Sequence, residues 1–229
     1  MVLQVENLGY WYTNERPLFQ QVNLTFEPRK MYAILGTSGS GKTTFLSLLA
    51  GLDQPKEGQI TYQGESLKQI GLQNYRKNRV SIVFQAYNLL PYLSAVENVL
   101  TAMAISQTKK DNPKEYAYQQ LEKVGLTREL ADKRVSHLSG GQQQRVAIVR
   151  AVCCGHDLIV ADEPTGNLDE QTSQEIIALF QQLAHEQEKC IILVTHEKEV
   201  ANASDEVYVL KNQQLTKQAD SLQLKITVR

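Results

Sequence analysis

The stretch MYAILGTSGSGKTTFLSLLAGL, residues 31–52, decides the fold. Met31–Leu35 is nearly all apolar and stops at Gly36. Such a run fits a strand covered on both faces. TTFLSLLAGL reads as a helix that closes near Gly51. Between them GTSGSGKT, Gly36–Thr43, satisfies G-x-x-x-x-G-K-[ST] in full. Glycines let the backbone curl until successive N–H groups face one anion. A lysine at that place brings a positive charge to the terminal phosphates, and the following hydroxyl can ligate Mg²⁺. Strand, loop and helix stand in the order this chemistry needs.

Outward from this stretch, the chain reads as alternating strands and helices. FQQVNLTF repeats Val22, Leu24 and Phe26 at period two, which buries one face. GQITYQG and VSIVF are further strands. Residues 86 to 152 change character. SAVENVLTAMAI opens with the capping box Ser94–Glu97, and NPKEYAYQQLEKVG offers Asn112 as cap, Pro113 at the first position and Gly125 as stop. A helical lobe inserted in the core is expected there. Alternation then resumes: the strand DLIVAD, a helix with Ile176, Leu179, Phe180 and Leu183 on one face, and the strand CIILV. The tail SLQLKITV alternates and is expected to pair with the first strands. The fold class is α/β, a P-loop NTPase core with an N-terminal antiparallel β subdomain, and residues 1–229 form one domain.

Bulk properties narrow the function. Twenty-four basic and 25 acidic residues leave a formal charge of −1, which argues against a partner held by nucleic-acid phosphates. No apolar run reaches the length of a membrane span, and no signal peptide is visible at MVLQVENLGYWY. Cys153, Cys154 and Cys190 have no metal-ligand spacing and read as small buried hydrophobes. TKKD, Thr108–Asp111, mimics a guanine-reading tetrapeptide but precedes a helix cap without a companion switch motif, and reads as a solvated loop.

Two more stretches carry chemistry. DLIVADEPT puts Asp162 and Glu163 at the carboxyl end of a buried strand, the edge where α/β sheets place ligands. There Asp162 would reach Mg²⁺ and Glu163 a water molecule. HLSGGQQQRV, His137–Val146, looks like a second helix mouth with bare N–H groups at Ser139, Gly140 and Gly141. Taken alone it reads more readily as an ordinary helix cap with a solvated glutamine face.

With these residues in hand, the chain resembles the ATP-binding subunits of ABC transporters over nearly its whole length. LSGGQ, Leu138–Gln142, matches the family signature; Gln85 matches the Q-loop glutamine; GNLD, Gly166–Asp169, the D-loop; His196 the switch histidine; Tyr12, beside Tyr10 and Trp11, the aromatic that stacks on adenine. The resemblance implies ATP held by Tyr12, by Gly36, Thr37, Ser38, Gly39, Ser40, Gly41, Lys42, Thr43 and Thr44, and by Ser139, Gly140, Gly141 and Gln142 of a second copy, paired head to tail. It implies Mg²⁺ at Thr43, Gln85 and Asp162, and hydrolysis carried by Glu163 with His196, Lys42 and Gln85.

The wording ADEPTGNLD and GLDQPKEG looks most like the subgroup serving lipoprotein release, macrolide and antimicrobial-peptide export, and cell division. The expected function is an ATPase powering a separate membrane permease, of export or resistance type, from the cytoplasmic face of the membrane. Leu89, Leu90 and Tyr92 in YNLLPYL are the expected docking patch, or else fill the lobe's own core. The alternative is an ABC ATPase driving a non-transport complex, in signalling or cell-wall enzyme activation. A DNA-repair ATPase, the third class, would need coiled coils or zinc sites that the sequence lacks. Two departures touch loops: Arg29–Lys30 replaces a Gly-Glu turn, and CCGH, Cys153–His156, stands where the family commonly has a proline.

Overall fold

Apolar alternation and apolar runs sort the strands into two sheets. In the computed structural model, which describes residues 1–12 and 17–218, the chain begins with β1 (Leu3–Tyr10), β2 (Phe19–Phe26), β3 (Lys30–Leu35), α1 (Lys42–Leu49), β4 (Glu57–Tyr62) and β5 (Glu65–Ser66). Short helices α2 (Leu67–Ile70) and α3 (Leu72–Asn78) lead to β6 (Val80–Val83). The helical stretch holds α4 (Ala95–Ile105), α5 (Pro113–Lys123), α6 (Arg128–Ala131), a 3₁₀ turn at Val135–His137, and α7 (Gly140–Cys153). The chain returns through β7 (Leu158–Asp162), α8 (Glu170–His185), β8 (Cys190–Thr195), α9 (Lys198–Asn202), β9 (Glu206–Lys211) and β10 (Gln214–Lys217).

The first sheet, in order β2-β1-β4-β5, is antiparallel throughout. In β2 Val22, Leu24 and Phe26 face inward while Gln21, Asn23 and Thr25 face solvent, as the period-two reading expects. The second sheet runs β10-β9-β3-β8-β7-β6 and is parallel except at β10. Its central strands β7 and β8 are buried at every residue, which follows from their unbroken apolar runs.

Three cores result. The first fills the space between the two sheets and takes in α1 through Phe45, Leu46, Leu48 and Leu49. The second covers the opposite face of the six-stranded sheet, with Ala147, Ile148 and Ala151 of α7 and Ile176, Ile177, Phe180 and Leu183 of α8. Each such large apolar side chain contributes ~1.5–3 kcal/mol by leaving water. The third lies within the helical lobe, around Val99, Leu121, Leu126, Val146 and Val149. Both expected caps form: Ser94 with Glu97 at α4, and Asn112 with Pro113 at α5.

Of the YNLLPYL trio, Leu89 and Leu90 are partly buried, with Leu89 packed against both the second and third cores as the core-filling alternative expects, and Tyr92 stands out at 66% exposure. One detail differs from the sequence reading. Leu179 is only half-buried, and Ile177 takes its place on the inner face of α8. The tail pairing expected of SLQLKITV lies outside the described residues. Among the described residues no helix is long and apolar enough to cross a membrane.

Candidate functional site: a phosphate loop facing two carboxylates

β3 lies between β8 and β9 and delivers Gly36 to the carboxyl edge of the six-stranded sheet. The loop turns on two left-handed positions, Gly39 (φ 76°) and Gly41 (φ 101°). L-residues pay about 1–2 kcal/mol for such backbone. Gly41 is doubly constrained, since a Cβ there would lie 3.0 Å from Leu18 Cγ. Helix α1 starts directly afterward at Lys42, so its unpaired N–H groups open onto the loop.

Lys42 is 5% exposed despite its charge. Its ammonium donates to Gly36 O at 3.0 Å and Thr37 O at 3.2 Å, and lies 3.5 Å from Glu163 Oε1. Ser40 Oγ is buried with no hydrogen-bond partner. An orphaned buried hydroxyl is costly, and in a loop of this geometry it is a group waiting for an acceptor or donor.

The acidic pair sits opposite. β7 ends in Asp162, buried, whose Oδ1 accepts from Thr43 Oγ1 at 3.3 Å. Burial raises its carboxyl pKa; the Thr43 bond and Lys42 oppose that, and neighbouring Glu163 adds to it. Glu163 has φ 40°, a left-handed conformation unusual for glutamate and held by its N–H bond to Val194 O at 2.9 Å. Its second oxygen lies 3.2 Å from His196 Nδ1. Thus Lys42, Thr43, Asp162, Glu163 and His196, drawn from α1, β7 and the loop after β8, meet at one place.

The remaining candidates fall on three nearby or separate surfaces. Gln85 follows β6 and is exposed; it borders Gly166, as Glu163 does, with its Nε2 3.7 Å from where a Gly166 Cβ would stand. Tyr12 is 71% exposed and its hydroxyl meets Thr44 Oγ1 at 2.6 Å. Ser139 caps α7 in a capping box with Gln142: Ser139 Oγ accepts from Gln142 N at 3.3 Å, and Gln142 Oε1 accepts from Ser139 N at 3.0 Å. Gly140 and Gly141 press on Tyr87 and Thr172, and a Cβ at Gly141 would come within 2.7 Å of Thr172 Cγ2. The signature turn therefore has neighbours of its own, distinct from those of the phosphate loop.

Sequence reasoning passed over the roles of Thr165, Thr195, Glu197 and Asp53. Thr165 Oγ1 donates to Glu197 Oε2 at 2.8 Å, and Glu197 N donates to Thr195 Oγ1 at 2.9 Å. These bonds tie the segment after Glu163 to the one carrying His196. Tyr10 and Asp53 join at 2.5 Å beside Tyr12. Only the position of Glu197 next to His196 was a visible signal.

A buried cationic loop, an acidic strand end opposite it and a histidine on the acid define a nucleoside-triphosphate hydrolase of the P-loop kind. The family description "ABC transporter" matches residues 19–166. The chain belongs to that family, as one of its ATP-binding, ATP-hydrolysing subunits. It is 58% identical over 205 residues to the uncharacterized ABC transporter ATP-binding protein YclH of Bacillus subtilis, covering 89% of this chain and 91% of that one. It is 39% identical over 223 residues to the lipoprotein-releasing system ATP-binding protein LolD of Francisella tularensis, covering 94% and 96%. Its structure resembles the ATP-binding cassette MJ0796, solved as a dimer in a post-hydrolysis state bound to ADP and Pi, at TM-score 0.85 and 30% identity, covering 94% and 97%.

Proposed function

We propose that the chain powers a separate integral membrane permease of export type, from the cytoplasmic face of the membrane, by hydrolysing ATP enclosed between two copies of itself. The observation that carries this reading is that one chain holds two glycine-bearing helix mouths with different neighbours. The loop around Lys42 faces Asp162, Glu163 and His196, while the mouth of α7 at Ser139 faces Tyr87 and Thr172. A second copy turned head to tail would bring its Ser139, Gly140, Gly141 and Gln142 over the first copy's nucleotide. The dimeric MJ0796 cassette supports the pairing of two copies, and kinship with LolD supports export.

In the proposed reaction, water attacks the γ-phosphorus in line, one P–O bond forms and the bond to ADP breaks. Lys42 and the loop N–H groups hold the phosphates. Glu163 orients and polarises the water, and His196, already on Glu163, adds a contact to the γ-phosphate. Thr43 and Asp162 are hard oxygen donors 3.3 Å apart at a buried acidic strand end, and with Gln85 they suit Mg²⁺. When bound there, Mg²⁺ would neutralise charge on the phosphate oxygens. Positioning and charge stabilisation carry the rate.

For the permease, the supporting surface is a cavity of about 370 Å³ lined by Ile82, Phe84, Asn88, Ala102, Ile105 and Arg150 among others. Tyr92 and Ile105 are exposed at 66% and 61%. A short amphipathic helix of a membrane subunit would cover them.

Complementation tests the shared site. Lys42→Ala and Ser139→Arg are each placed in a Glu163→Gln background so that hydrolysis cannot undo a dimer. Each variant alone should stay monomeric with Mg-ATP in size-exclusion chromatography. Mixed, they form one whole site from an intact Lys42 and an intact Ser139, and a dimer peak should appear. Folded variants that fail to associate on mixing would overturn the shared site.

A further inference from the structure

We infer that Tyr10 and Asp53 are positioning residues for the adenine platform. The inference rests on the reading that Tyr12 stacks on adenine. Tyr12 stands 71% exposed, so little packing fixes its ring. Among the described residues two contacts hold it. One is the bond from its hydroxyl to Thr44 Oγ1. The other is an edge-to-face contact with Tyr10, with ring centroids 5.3 Å apart and planes at 89°. Thr44 belongs to the helix mouth that nucleotide phosphates would occupy, so the nucleotide competes for its hydroxyl. The Tyr10 contact has no such competitor.

Tyr10 is itself well anchored. It is the last residue of β1, paired with Phe19 of β2, and it is 4% exposed. Its carbonyl accepts from Leu18 N at 2.7 Å. Its hydroxyl donates to Asp53 Oδ2 at 2.5 Å, and Asp53 Oδ1 accepts from Gln54 N at 2.7 Å. The Asp53 carboxylate raises the phenol pKa to about 12, with burial adding to it, so the donor keeps its proton through the neutral range. Asp53 in turn follows the end of α1, where its N–H and that of Leu52 reach Ser47 O at 3.4 and 2.8 Å. Thus the helix that carries Lys42 at its first turn anchors the base platform from its last. A buried aromatic held by a charge-assisted bond is a rigid brace, and aromatic pairs of this kind depend on ring orientation. Both ends of the nucleotide would then be set by one helix.

Calorimetric titration of the full chain with Mg-ATP and with inorganic tripolyphosphate separates base from phosphate binding. Tyr10→Phe keeps the ring and removes the bond. It should weaken ATP about three- to tenfold, the scale of a disturbed aromatic pair, and leave tripolyphosphate unchanged. Asp53→Ala should do the same, and Asp53→Asn, which still offers an oxygen, should recover most of the affinity. In a Tyr12→Ala background Tyr10→Phe should change nothing further. Thermal melting checks folding, and Asp53→Ala reaches the same bond from the surface if Tyr10→Phe misfolds. If Tyr12→Ala itself leaves the preference for ATP over tripolyphosphate intact, the stacking reading fails and the brace with it. If Tyr12→Ala weakens ATP selectively while Tyr10→Phe and Asp53→Ala bind like wild type, the brace alone is overturned. Loss of affinity for both ligands alike, or loss that persists without Tyr12, also overturns it.

Discussion

Glu163→Gln should separate binding from turnover, in opposite directions. The Glu163 carboxylate occupies the lysine that the phosphates need, at 3.5 Å from Lys42 Nζ. At an effective dielectric constant of about 20, that contact is worth about 5 kcal/mol before desolvation. Most of this is returned when a displaced carboxylate regains water, and ion pairs at protein surfaces net only about 0–1 kcal/mol. Glu163 and Lys42 are 18% and 5% exposed, so the net competition should exceed the surface value, at about 1–2 kcal/mol. The glutamine variant should therefore bind Mg-ATP about 5- to 30-fold more tightly. Hydrolysis should fall roughly 10²–10⁴-fold, the usual cost of losing a positioned base. Equilibrium titration gives the first number and single-turnover phosphate release the second. Turnover near the wild-type rate would move the water-activating role to another residue. Unchanged or weaker ATP binding would refute the competition for Lys42, even if hydrolysis stopped.

Three further substitutions test the phosphate loop and the half-buried His156. Gly39→Ala meets only its left-handed backbone, with open space around it, and should cost about 1 kcal/mol in chemical denaturation; Gly41→Ala adds the overlap with Leu18 and should cost roughly twice that. Equal costs would show that Leu18 yields freely. His156 is half-buried beside Ser81 Oγ at 3.1 Å, and desolvation lowers its pKa below the ordinary 6.5. The unfolded chain then takes up the proton first, so stability is full above pH 6.5 and declines as pH falls toward the lowered value. Wild type should lose more melting temperature between about pH 7.5 and pH 5 than His156→Gln does; parallel curves would remove His156 as the source.

What could be read from the sequence was local. The apolar runs of β3, β7 and β8 and the phosphate loop between β3 and α1 depend on neighbours within a few residues. So do the caps at Ser94, Asn112 and Ser139. What escaped was set by distant partners. Tyr10 and Asp53 are 43 residues apart, and nothing in GLDQP marks the aspartate as an acceptor. Leu89 lies in a stretch without periodicity, and its burial depends on how two cores meet around it. The isolation of Ser40 Oγ is likewise invisible in GTSGSGKT, because it follows from the closed curl of the loop.

That meeting of cores bears on how an ATP-driven closure would reach a membrane partner. Helix α7 carries the signature turn at its mouth, and it is packed on both sides. Ala147, Ile148 and Ala151 belong to the core shared with α8, while Val146, Val149 and Cys153 belong to the lobe. Arg145 bonds Val124 O and pairs with Glu175, which bridges the end of α5 to α8. One turn and a half further on, Arg150 donates to Tyr87 O at 2.8 Å and Asn88 O at 2.5 Å. The backbone that follows Gln85 is thereby fastened to α7, and Asn98 of α4 holds it again through Leu90 N and Leu90 O. Cores packed at crystal density deform little and move as bodies. Under the proposed reading, a pull on Ser139 by the facing nucleotide is therefore borne by α7, Arg150 and the segment Tyr87–Leu90 together. Through Asn88 that segment borders the cavity proposed for the permease, so under this reading the force needs no flexible intermediary to arrive there.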